Sequence, residues 1–174
     1  MNAPDAQSAV SETALGANGV SVIGLGNVEK RDDGVGVLVV EALREELEAG
    51  AWTPQSAPSL VSAGTDSLLA AAHAADGGWV ILVDAARMGL PPGEFRMFSP
   101  RDAGFSTRDP GLSPHDADMA EALRLMDCLG CAGRVRIMGI QGEDMGDGRG
   151  LSRQLQARLP EMQARIKEEV GLLP

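Results

Sequence analysis

Short unbroken apolar runs alternate along this chain with longer segments in which apolar positions recur every three or four residues. The first run, VSVIGL, ends in Gly24-Leu25-Gly26-Asn27 and leads into DDGVGVLVVEALREELEAG, where Val35, Val39, Ala42, Leu43 and Leu47 keep helical spacing between acids at the start and Gly50 at the end. That reads as strand, loop and helix. The pattern repeats with SLVSAG as a second strand and TDSLLAAAHAA as a second helix. WVILVDAA, residues 79–86, is a continuous apolar run rich in β-branched residues, the mark of a central strand covered on both faces. GEFRMF, residues 93–98, alternates as an edge strand does, and SPRDAGFSTRDPGLSP reads as a surface loop. DADMAEALRLMDCLG forms a helix with Met119, Leu123 and Met126 on one side, and RVRIMGI a further strand. The last segment, from Leu151 to Val170, is helical, with Pro160 expected to kink or restart it because proline lacks the amide hydrogen. This alternation predicts an α/β fold of three layers, a mostly parallel twisted sheet with helices on both faces.

Composition narrows the picture. A chain of 174 residues, 44% apolar, fits one domain with a real core. Residues 1–19 read as a flexible lead-in and 20–174 as the domain. The lead-in has no basic start followed by an apolar run, so it does not resemble a signal peptide. No stretch reaches the roughly 18 to 20 apolar residues of a spanning helix, so no membrane is expected. The formal charge of -10 repels phosphate backbones and argues against a nucleic-acid partner. The two cysteines, Cys128 and Cys131 in CLGC, are too few for a disulfide framework or a structural zinc site, and a reducing cytoplasm suits them. CLGC stands at the end of a helix, where it reads as packing; a redox motif stands at a helix start.

Three residues carry the candidate chemistry. A strand, glycine turn and helix start also opens dinucleotide sites, but Glu29 stands where the third glycine belongs, and Asp32 and Asp33 would compete with a pyrophosphate for the same amides. Asp32 is expected to cap the helix, leaving Asp33 to face the crevice beyond the strand ends. Asp84 closes WVILV at its C-terminal end, the edge where open α/β sheets bind ligands. His115, in GLSPHD, offers an imidazole near a helix start. Taken singly, each has a plain structural explanation. Two carboxylates and one imidazole together can bind a divalent transition metal and leave coordination positions open. His73 reads as a helix C-terminal cation, and Gln141, Glu143 and Asp144 as the border of a substrate groove.

The segments VIGLGNVEKRDDGVG, VILVDAA, LSPH and IMGIQGEDMGDGRGLS, in that order between about Val20 and Val170, resemble the hydrogenase maturation proteases. These are endopeptidases that remove a C-terminal extension from the large subunit of nickel-iron hydrogenases. The resemblance implies that family's fold and an endopeptidase acting on a large-subunit precursor, the expected partner. It implies that Asp33, Asp84 and His115 recognise nickel already inserted in the substrate, with no permanent cofactor. Asp33 or Asp84 would then be the catalytic carboxylate, in keeping with an aspartic-type grouping, unless the metal itself activates the water. One departure stands out. Where many relatives carry an acid and two glycines before a threonine, this chain has Ser62-Ala63-Gly64-Thr65, so no role of that acid passes to Ser62. The competing readings are a nucleotide-binding enzyme and a non-catalytic metal-binding domain.

Overall fold

The computed structural model describes residues 19–75, 77–102 and 114–174, with the backbone alone for 114–118. Residues 1–18, most of the expected lead-in, and 103–113, most of the expected surface loop, lie outside the described residues. Five strands form one sheet: β1 (Val20–Leu25), β2 (Ser59–Gly64), β3 (Trp79–Ala85), β4 (Phe95–Phe98) and β5 (Val135–Ile140), in the order β2-β1-β3-β5-β4. The first four in that order run parallel, and β4 closes the far edge antiparallel to β5. The expected mostly parallel sheet and the edge position of β4 are both observed.

Alternation along the central strands sorts the core into two layers. Val22, Ile81, Val83, Met138 and Ile140 pack against α1 (Val35–Glu48) and α4 (Arg153–Leu172). Ile23, Leu82, Val135 and Ile137 pack against α2 (Ser67–Ala75) and α3 (Pro114–Cys128). β3 is buried from Val80 to Ala85, as its unbroken apolar run requires. Each fully buried Ile or Leu of this kind stabilises the fold by about 1.5–3 kcal/mol.

Two glycines let α1 lie directly on the sheet. A Cβ on Gly36 would stand 2.1 Å from the Val83 carbonyl oxygen and 2.5 Å from that of Leu25; one on Gly24 would stand 2.3 Å from the Gly36 carbonyl oxygen. The start of α1 therefore sits between β1 and β3, which fixes the loop before it over the C-terminal ends of those strands.

The expected restart of the last helix is not observed. α4 runs through Pro160 without interruption. Pro160 and Gln156, whose carbonyl loses its helical partner, are both on the exposed side, so water can replace the missing bond. None of the described helices is long and apolar enough to cross a membrane.

Candidate functional site

A short 3-10 turn, Arg31–Gly34, joins β1 to α1 and carries both acids of the first motif. The capping expected of Asp32 is not observed: Gly34 precedes α1, and no side chain caps it. Asp32 is fully buried and turned toward the loop after β5 instead. Its Oδ2 accepts the amides of Glu143 and Asp144 at 2.9 and 3.0 Å, and its Oδ1 accepts that of Ser152 at 2.6 Å. Ser152 in turn caps α4. The Asp32 amide donates to the Asp144 carbonyl at 3.0 Å and that of Arg31, held at φ 43°, to the Gly148 carbonyl at 2.8 Å. Asp32 is thus the clasp between two loops of the same sheet edge. Arg31 to Asp144 at 3.4 Å and Lys30 to Asp147 at 3.3 Å add ion pairs outside it, as does Glu29 with Arg149, whose mutual attraction lowers the Glu29 pKa and raises that of Arg149.

With Asp32 committed to the clasp, Asp33 lies over the end of β1. It is 5% exposed, and its Oδ2 accepts the Asn27 amide at 3.0 Å, which orients the carboxylate. Most other amides of the glycine loop are also spent internally. Gly26 donates to the Gly64 carbonyl, Glu29 to the Asn27 side chain, Lys30 to the Asn27 carbonyl and Asp33 to the Lys30 carbonyl. A phosphate site needs such amides turned outward, so the geometry argues against nucleotide binding.

Asp84 ends β3, the strand beside β1, and is 3% exposed. Its even position places it on the face that carries Val80 and Leu82, toward α2 and α3. Directly across the ladder stands Gly139 of β5. Asp84, Gly139, Phe98, Met119 and Ile137 line a small open pocket. The segment after Asp84 is fixed by Gln141, whose Oε1 accepts the Met88 amide at 2.8 Å and the Leu90 amide at 3.3 Å. Gln141 therefore shapes this edge. Glu143 and Asp144 belong to the clasp through their backbones.

His115 falls in the first turn of α3, one turn before Met119, and its side chain lies outside the described residues. Since α3 leads into β5 and covers the face to which Asp84 belongs, its start lies at the sheet edge where β1 and β3 end. The backbone thus brings the elements bearing Asp33, Asp84 and His115 to one edge. Among the described residues, no three His, Cys, Asp or Glu side chains form a metal-holding group. Two buried carboxylates at adjacent strand ends are suited to hard or borderline divalent cations and to polarising water.

The remaining residues singled out in the sequence are structural. Asp66 caps α2, accepting the Leu69 amide at 2.9 Å, and the carbonyl of Gly64, at φ 59°, receives the Gly26 amide. Cys128 is exposed at the end of α3, while Cys131 is buried, donates its thiol to the Met126 carbonyl at 3.2 Å, and has its pKa pushed up by burial. That is the reverse of a reactive thiolate. His73 lies in the last turn of α2 as expected, with its Nδ1 buried and without a hydrogen-bond partner among the described residues. Sequence reasoning missed the pocket; its signal was Gly139, a glycine inside an apolar strand run, which marks a close approach.

Comparison with known proteins places these features. The family model described as hydrogenase maturation protease matches residues 37–169, which hold Asp84 and His115 and begin just after Asp33. The hydrogenase expression/formation protein HoxM of Cupriavidus necator is 30% identical over 129 residues, 74% of this chain and 61% of the relative. HupD of Thiocapsa roseopersicina is 27% identical, covering 80% of this chain and 62% of the relative. The chain thus spans somewhat over three-fifths of the length of these curated relatives. Among solved structures, the hydrogenase maturating endopeptidase HybD from E. coli superposes with a TM-score of 0.71 at 20% identity, covering 85% of this chain and 89% of that one. HybD from Thermococcus kodakarensis gives 0.67 at 23%, covering 87% and 99%. At such identities the structures establish a shared fold.

Proposed function

The chain belongs to the hydrogenase maturation protease family, and on that premise we propose that it is an endopeptidase removing the C-terminal extension of a nickel-iron hydrogenase large-subunit precursor after nickel insertion. The observation that carries the reading is the placement of Asp33 and Asp84, both buried, at the C-terminal ends of the adjacent strands β1 and β3. In this reading Asp33, Asp84 and His115 bind the nickel carried by the substrate, and no resident cofactor is needed. Two carboxylates and an imidazole suit a divalent transition metal while leaving room for its own ligands in the precursor.

Recognition and chemistry would then share one edge. A carboxylate held by backbone amides inside a nearly dry site can take a proton from water as that water attacks the scissile carbonyl. The peptide C–N bond breaks, and the proton passes to the departing amine. The aspartic-type character of the reaction follows if Asp33 or Asp84 is that base. Incubating the purified protein with a nickel-loaded precursor and weighing the product tests the reading: loss of one short C-terminal peptide is expected, and an unchanged precursor mass would refute it.

A further inference from the structure

Charge is spread unevenly along the sheet edge that carries the candidate site. On the β1 side, Lys30 pairs with Asp147, Arg31 with Asp144 and Arg149 with Glu29. On the β4 side, the stretch from Asp84 to Arg96 carries two exposed cations, Arg87 and Arg96, and neither makes an ion pair among the described residues. Glu94, the other acid of that stretch, is taken by Arg158 at 3.6 Å. In a chain of net charge -10, two unmatched cations close together in sequence stand out. The sheet also gives Arg96 a defined place. Gly139 of β5 stands opposite Asp84 on one side and opposite Arg96 on the other, so the three residues form one row across the sheet. Residues paired in a ladder share a face, and Phe98, two positions beyond Arg96, packs in the same core layer as Leu82. Arg96 therefore lies on the α3 face with Asp84, two strand spacings away, roughly 10 Å. Between them Gly139 has no side chain, and Phe98 Cε1 and Met88 Sδ stand 3.1 and 3.2 Å from where its Cβ would be. An apolar step thus separates a carboxylate at a strand end from a guanidinium on the edge strand.

We propose that Arg96 is a specificity residue that reads an acidic side chain of the substrate polypeptide about three residues from the bond addressed by Asp84, with Arg87 adding its charge to the same side. This rests on the proposed endopeptidase reading and adds to it a charge that the substrate must present. The spacing follows from the row: an extended chain advances about 3.3 Å per residue, so one that crosses from β3 to β4 covers the gap in about three residues. The planar guanidinium suits a carboxylate, which it can hold through two parallel hydrogen bonds, and it repels a lysine at the same substrate position. Exposed ion pairs are weak and give at most about a five-fold preference each, so Arg96 acts on the choice among precursors through binding and leaves the chemical step to the site itself.

The test is a charge swap on the full-length chain. Precursors carrying Glu, Gln or Lys three residues before or three residues after the cut are processed by the unmodified protein and by Arg96→Glu. At one of the two positions the unmodified protein is expected to favour Glu over Lys about 10-fold in kcat/KM at low salt, through KM with kcat unchanged, and the preference should fade in 1 M salt. Arg96→Glu is expected to invert it in favour of Lys, which a merely structural role of Arg96 would not do. The same preference in both proteins, or none in the unmodified one, would overturn the proposal. In parallel, the protein labelled with nitrogen-15 is titrated with the N-acetyl amides of Ala-Ala-Ala-Glu and Ala-Ala-Ala-Gln, and the Arg96 Nε–H resonance is followed after assignment through Arg96→Lys. It is expected to shift with the Glu peptide alone; an equal shift with both, or none with either, would overturn the contact. If no precursor is cleaved by the unmodified protein, the endopeptidase reading fails while the titration still decides the role of Arg96.

Discussion

The carboxylate of Asp32 holds the amide of Ser152 at 2.6 Å across a sequence separation of 120 residues. With the Glu143 and Asp144 amides on its other oxygen, Asp32 ties the loop that carries Asp33 to the loop that starts α4. Hydrogen bonds from amides to a buried carboxylate contribute about 1.5–3 kcal/mol each, and leaving such amides unpaired costs more than the bond itself contributed. Asp32→Ala should lower the unfolding free energy by about 3–5 kcal/mol, and Asp32→Asn by clearly less, because its amide oxygen still accepts. Urea unfolding measures both; a loss under about 1 kcal/mol for the alanine variant would contradict the clasp.

Asp84→Asn tests the other carboxylate. Asparagine is close in size and can still hydrogen-bond at the end of β3, so far-ultraviolet circular dichroism should be unchanged. Precursor cleavage should fall by at least about 100-fold, the usual scale for losing a general base or a ligand at the reacting centre. Cleavage within a few-fold of the unmodified protein would remove Asp84 from the chemistry.

Gly36→Ala should be far more damaging than its size suggests. Its Cβ, fixed by the backbone, would stand 2.1 Å from the Val83 carbonyl oxygen, a backbone atom that cannot turn aside. We expect poor expression or a stability loss above about 4 kcal/mol, compared with roughly 1 kcal/mol or less for Gly133→Ala, where nothing lies within 4 Å. Thermal melting of the two variants side by side decides it.

The two cysteines should react very differently. Burial raises the Cys131 pKa, so its reactive thiolate is scarcer at neutral pH than that of an ordinary cysteine, whereas Cys128 is exposed. Under native conditions iodoacetamide should modify Cys128 at least about 10-fold faster, with both becoming equal after unfolding. Equal native rates, read by peptide mass, would contradict the packing of Cys131.

The Glu29–Arg149 pair sets a pH dependence. Its partner lowers the Glu29 pKa below the ordinary value of 4.5, so the stabilisation is present above that value and is lost as pH falls through the lowered one. The pair is exposed, so its effect is small and screened by salt. The difference in melting temperature between the unmodified protein and Glu29→Gln should be measurable at pH 6 in low salt. It should vanish at acid pH and in 1 M salt, and a difference that grows on acidification would have the wrong sign.

The sequence announced the sheet because its strands are buried on both faces. WVILV has no polar interruption, and that requires helices above and below it. The position of Asp84 was legible for the same reason: an acid at the end of such a run lies at the C-terminal edge of the sheet. Asp32 was misread because capping is a local rule, whereas its partners, Glu143, Asp144 and Ser152, come from a loop whose approach only tertiary structure can show. The restart offered for Pro160 failed in the same direction, since a helix already fastened by Leu155, Met162 and Ile166 in the core tolerates one missing hydrogen bond on its exposed side. The apolar pocket depended on Phe98, Met119 and Gly139 meeting from three elements, a relation that no periodicity encodes.

The most direct test of the central claim compares a nickel-loaded and a nickel-free large-subunit precursor, each incubated with the purified protein and followed by the mass of its C-terminus. Cleavage of the loaded form alone, abolished in His115→Ala with the fold intact, is the predicted result. Equal cleavage of both forms would contradict the recognition of substrate nickel by Asp33, Asp84 and His115, and cleavage of neither would contradict the endopeptidase reading itself.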